Sequence, residues 1–120
     1  MRSTTASDRG AVTVEFALTL PALLLVLALA VGAVTAADAR LACADAARVG
    51  ARSLARGESE AQARELARAA APDGARVGLG RDGGTAQVTV TARVRFGRVH
   101  LHTVEVSGTA AVLLEPGVPP

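Results

Sequence analysis

"DRGAVTVEFALTLPALLLVLA", residues 8–28, begins with two opposite charges and a glycine and then turns to hydrocarbon, with one carboxylate, Glu15, where the apolar run starts. After Phe16 no charge appears until Asp38, so residues 16–37 are an uncharged stretch of 22 residues. As a helix, that stretch spans about 33 Å at ~1.5 Å per residue, matching a hydrocarbon core of about 30 Å. It is longer than the apolar region of a signal peptide, about 7–15 residues, and reads as a true membrane span. Pro21 falls in its second turn, where partner helices can compensate a kink. Arg2 and Arg9 argue for a cytoplasmic N-terminus, while Arg40, Arg48 and Arg52 on the far side argue against it.

With 120 residues, the chain holds one small domain at most beyond the span. Its apolar content is alanine, valine and leucine, with two Phe and no Trp or Tyr, so little area is buried per residue. All thirteen basic residues are Arg, and the formal charge is +2. These arginines are interleaved with Asp and Glu and lack aromatic platforms for bases, so no nucleic-acid partner is expected. A single cysteine, Cys43, excludes an intrachain disulfide and CxxC chemistry.

The helical pattern continues past the span, free of breakers, to Gly57. Ala28, Gly32 and Ala36, then Ala39, Cys43, Ala46 and Gly50, repeat at three- and four-residue spacing. Small residues on one face let helix backbones approach closely, so this stripe is a candidate helix-packing seam. Asp38, Asp45, Arg48 and Arg52 occupy the other side. Cys43 reads as a small seam residue, with an intermolecular disulfide as the lesser alternative. Ser59 and Gln62 form a capping-box pattern, Ala63, Leu66, Ala67 and Ala70 then repeat at helical spacing, and Glu60 with Arg64 is a favoured i,i+4 pair. That second helix ends at "APDG", residues 71–74.

From there the period becomes 2. In "QVTVTARVRF", residues 87–96, Val88, Val90, Ala92, Val94 and Phe96 face one way and polar residues the other, as in a half-buried strand. "RDGG", residues 81–84, predicts a hairpin turn from a shorter strand at 75–79. A third run at 100–114 slips phase near Thr103, which predicts a bulge. The expected fold class is α+β: a long N-terminal helix, a short second helix and an antiparallel sheet of about three strands.

Glu15 remains to be explained. An acidic residue at the centre of a membrane helix costs about 2.5–3.5 kcal/mol, less near the interface. A place near a helix N-terminus makes it tolerable, but not its company of Gly10 five residues before and Phe16 directly after. The spacing in "RGAVTVEF" resembles the processing site of type IV prepilins, and "CADAARVGARSLARGE" and the closing "VSGTAAVLLEP" extend the similarity to TadE-like minor pilins of the tight-adherence (Flp) branch. The resemblance covers nearly the whole chain and is most specific in its N-terminal third.

It implies cleavage by a membrane prepilin peptidase between Gly10 and Ala11, with Glu15 then fifth in the mature chain. The new ammonium at Ala11 and the Glu15 carboxylate of a neighbouring subunit would neutralise each other; a paired buried charge is tolerable where a lone one is not. Phe16 belongs to the same assembly motif. The implied divisions are a leader at 1–10, a transmembrane helix at 11–37, an extracytoplasmic helical region at 38–71, a β region at 75–115 and a disordered tail at 116–120. Implied partners are the membrane, the peptidase, other pilin subunits and the Tad assembly platform. The implied location is the cell membrane, single-pass, N-terminus inside, with incorporation into a pilus. No enzyme activity and no cofactor are expected.

Two other readings are open at this stage. "VTA", residues 34–36, is an acceptable signal-peptidase site, which would make the chain an exported or anchored binding module unrelated to pili. His100 and His102 share a strand face with Glu105 nearby, but three ligands within six residues of one strand make poor tetrahedral geometry. No metal site is therefore expected there, and "GLGRDGG" precedes no helix, so it is no phosphate loop.

Overall fold

The computed structural model describes residues 4–96 and 102–115, with side chains from Asp8 onward. In chain order the elements are α1 (Thr4–Ala55), α2 (Glu60–Ala70), β1 (Arg76–Asp82), β2 (Thr85–Arg95) and β3 (Thr103–Leu113). The class is α+β, as the change of period at residue 72 predicts. The chain divides into two compact units, Met1–Val34 and Thr35–Pro120.

In the first unit the side chains of α1 from Phe16 onward are uncharged on every side and almost all exposed, with Phe16 at 72% and Leu18 at 71%. A helix that is hydrophobic all round and covered by no protein is suited to lipid as its solvent. Among the described residues, α1 is the one helix long and apolar enough to cross a membrane. Its hydroxyls are satisfied internally: Thr13 Oγ1 donates to the Arg9 carbonyl at 2.9 Å and Thr19 Oγ1 to that of Glu15 at 2.6 Å. Pro21 is accommodated inside the helix.

The second unit is built on small side chains. Cys43, Ala46, Ala47, Ala51 and Leu54 of α1 are buried together with Ala63 and Ala67 of α2 and Val77, Val88, Val90 and Ala92 of the sheet. With so little side-chain volume available, the backbones have to come close. A Cβ at Gly50 would meet Val88 Cγ1 at 3.1 Å and Ala67 Cβ at 3.2 Å. At Gly108 it would fall within 2.6 Å of the Cys43 carbonyl carbon and nearer still to Ala44 N and Cα. Strand β3 therefore rests directly on the backbone of α1, and only a glycine fits at the crossing.

Helix α1 is stopped just beyond Ala55 by Gly57, whose φ of 82° is left-handed. Gly57 N–H donates to Leu54 O at 3.0 Å and Glu58 N–H to Ser53 O at 3.2 Å, the paired bonds of a Schellman stop. Ser53 is fully buried, and its hydroxyl donates to Glu58 Oε2 at 2.6 Å. Arg56 holds the other oxygen of that carboxylate at 2.8 Å. Helix α2 then starts on Ser59, whose Oγ accepts from Gln62 N at 3.2 Å. Of its predicted stripe, Ala63 and Ala67 are buried while Leu66 and Ala70 are exposed. Glu60 does not pair with Arg64 as the helical spacing suggests. It reaches Arg81 on β1 at 2.8 Å, tying the start of α2 to the sheet.

The sheet order is β1-β2-β3, antiparallel throughout. Strand β1 runs to Asp82, three residues beyond the predicted 75–79, because the turn is only Gly83–Gly84, both left-handed, with Asp82 facing Thr85. Along β2 the predicted alternation holds, with Val88, Val90, Ala92 and Val94 buried. Among the described residues the predicted bulge at Thr103 is absent: pairing runs without a break from Thr85↔Leu113 to Arg95↔Thr103, and residues 97–101 lie outside the described ones. The phase change falls where the strand starts, so no extra residue has to be absorbed within the ladder. His100 and the tail at 116–120 lie outside the described residues.

Candidate functional site

Gly10, Ala11, Glu15 and Phe16 all lie on α1 in the first unit. Gly10 and Ala11 are exposed and helical, and a Cβ at Gly10 would meet nothing within 4 Å. The bond between them is therefore in helical conformation, with open surroundings at Gly10.

Glu15 lies in a shallow apolar groove of about 480 Å³ along one side of the helix, with Val12, Phe16, Thr19, Leu20 and Leu23. The Thr19 hydroxyl, one turn on, is committed to the Glu15 carbonyl rather than the carboxylate. Among the described residues the carboxylate has no ion pair or hydrogen bond. A lone carboxylate on an otherwise apolar helix is the arrangement that a cation from outside the chain would relieve.

The small-residue stripe divides. Ala28 is exposed and Gly32, Ala36 and Ala39 are half-buried, whereas Cys43, Ala46 and Gly50 are buried in the chain's own second unit. That lower part of the stripe serves β2, β3 and α2 rather than a second helix from outside. Cys43 is a free thiol sealed in this core. On the polar side of α1, Arg48 and Asp45 pair with each other at 2.8 Å.

His102 is exposed and its carbonyl accepts from Phe96 N at 3.4 Å, while Glu105 faces Arg76 at 3.6 Å. Among the described residues no three His, Cys, Asp or Glu side chains are grouped as metal ligands would be. Among the features that escaped the sequence reading are the Ser53–Glu58 clamp and the crossing at Gly108. The second had a signal, since a glycine within a strand pattern marks a close backbone approach.

A membrane-suited helix bearing an unpartnered carboxylate where its apolar run begins, followed by a small α+β unit, defines a membrane-associated protein whose N-terminal helix carries its distinctive chemistry. The sequence pattern of the TadE-like protein family matches residues 10–52, from Gly10 through Glu15 to just past Gly50. The chain is also 40% identical over 103 residues to the apoptosis inhibitor Rv3655c of Mycobacterium tuberculosis, a match covering 86% of this chain and 78% of that relative. The chain belongs to the TadE-like family and is, at that level, a membrane-associated protein related to the Tad pilus. No solved structure matches it.

Proposed function

We propose that the chain is a minor pilin subunit of a Flp-type (Tad) pilus, made as a prepilin and cut by a prepilin peptidase between Gly10 and Ala11. In the membrane its second unit stands on the extracytoplasmic side, and it joins other pilin subunits or the Tad assembly platform through the N-terminal helix. Its chemistry is pairing rather than catalysis. Cleavage exposes an ammonium at Ala11, and the Glu15 carboxylate of an adjacent subunit neutralises it. Phe16 flanks that pair, and the small positions Ala28, Gly32 and Ala36, several turns further along the helix, offer a separate seam for close helix packing.

The observation that carries this reading is Glu15 itself, a carboxylate without a partner where the apolar run of α1 begins. Such a group is costly alone and tolerable once paired. The open space at Gly10 supports the processing step. The test is the intact mass and N-terminal residue of the protein from membranes, with and without the cell's prepilin peptidase. The expected result is a chain beginning at Ala11 only when the peptidase is present. A chain uncut in both, or one beginning at Ala37, overturns the proposal.

A further inference from the structure

The outer face of the sheet gathers positive charge at one end. Arg76 on β1 stands opposite Thr91 on β2, and Arg93 and Arg95 follow on the same face of β2, opposite Glu105 and Thr103 of β3. The three arginines line a cleft of about 620 Å³, with Asp73 at its rim. That volume lies within the ~300–1,000 Å³ usual for ligand sites. Three arginines against Asp73 of the lining and Glu105 beside it leave this end of the sheet with a net positive charge.

Within the fold Glu105, opposite Arg93 and near Arg76, partly offsets this grouping. Among the described residues the guanidinium groups of Arg93 and Arg95 have no ion pair or hydrogen bond. Arg76 meets Glu105 at 3.6 Å, with the two side chains 69% and 56% exposed, a long contact that water screens. Alternate positions on a strand lie about 7 Å apart and adjacent strands about 4.8 Å. The backbone positions that carry the three arginines are thus spread widely enough to serve several anionic groups in succession. Guanidinium forks match phosphate oxygens two at a time.

We propose that this cleft binds an oligophosphate-type ligand, successive phosphate groups either free or strung along a phosphodiester polymer. The site lies wholly in the second unit, and its test is independent of the reading of the N-terminal helix. The full chain in uncharged detergent micelles is titrated with tripolyphosphate by calorimetry, in low salt and again in moderate salt. Saturable 1:1 binding is expected. The Arg93→Gln/Arg95→Gln pair should weaken it at least tenfold, and Arg95→Gln alone severalfold. Glu105→Gln, which releases Arg76, should tighten it. The Arg64→Gln/Arg68→Gln pair on α2 removes the same charge elsewhere and should change affinity less than twofold. Arg68, Arg93, Arg95 and Glu105 are exposed and Arg64 is half-buried, and circular dichroism checks that each variant retains its fold.

A second arm uses a glycerol-phosphate polymer at equal phosphate concentration. Tighter binding of the polymer identifies a phosphodiester chain as the ligand, and binding of tripolyphosphate alone identifies a free anion. Absence of saturable binding to either probe overturns the proposal. So does an equal loss in the α2 control pair, which would reduce the effect to net charge.

Discussion

Ser53 and Glu58 are joined twice, backbone to backbone at 3.2 Å and hydroxyl to carboxylate at 2.6 Å, across the five residues in which α1 stops and the chain turns toward α2. The Ser53 hydroxyl first, and Arg56 after it, hold the Glu58 carboxyl below its ordinary range. A carboxylate with a depressed folded-state value adds stability that is complete above the ordinary glutamate value, about 4.3. That contribution is lost as pH falls through the depressed value. Wild type should therefore lose melting temperature on acidification below about pH 4. Glu58→Gln should melt lower than wild type at neutral pH, with the gap closing in acid. A gap that stays constant from pH 7 to pH 3 would show that the clamp adds nothing through its charge.

At Gly108 the obstacle to any side chain is backbone, the Cys43 carbonyl carbon and Ala44 N and Cα, which cannot swing aside as a side-chain tip can. Gly108→Ala should cost about 3 kcal/mol, the upper part of the usual range for overpacking. Gly80→Ala, with nothing within 4 Å of the added carbon, should change stability by less than about 0.5 kcal/mol. Thermal melts of the two variants followed by circular dichroism decide the matter, and equal effects would mean that β3 does not lie against α1 at this point.

Cys43 is fully buried, so the lesser alternative of a disulfide between two copies requires the second unit to open. Maleimide labelling of the folded chain should be slower than in denaturant by a factor on the order of 100 or more. The protein should also run as a monomer on a non-reducing gel. Prompt labelling in the folded state would place the thiol at the surface.

Gly10→Arg should leave the N-terminal segment uncut. Glu15→Ala should be cut normally yet fail to enter pili, because the Ala11 ammonium then has no counter-charge. The readouts are the mass of the membrane form and immunoblotting of sheared pili. Normal incorporation of Glu15→Ala would rule out charge pairing while leaving the processing step standing.

The fold was largely legible because it depends on local periods. The uncharged stretch, the helical run to Gly57, the Ser59 cap, the glycine turn and the alternation of β2 are each written in consecutive residues. What stayed hidden depends on register. Glu60 chose Arg81 over Arg64 because tertiary packing brought β1 nearer than the next helical turn. Arg76 joined Arg93 and Arg95 only through the pairing of β1 with β2. The small-residue stripe was visible as a line, but nothing along that line marked where membrane-suited helix gave way to the chain's own core. On the N-terminal helix, Glu15 stood out because its surroundings make it anomalous, a contrast that needs no tertiary information.

The alanine-built interior of the second unit has a consequence for how this protein can change over time. A core of leucine and isoleucine can drift both ways, shedding a methylene here and regaining one there. Ala46, Ala47, Ala63, Ala67 and Ala86 have no exposed surface at all, and apart from glycine every replacement for alanine is larger. Innovation in this unit is thus pushed outward, onto the solvent face of the sheet and the outer side of its helices, where a new side chain displaces only water.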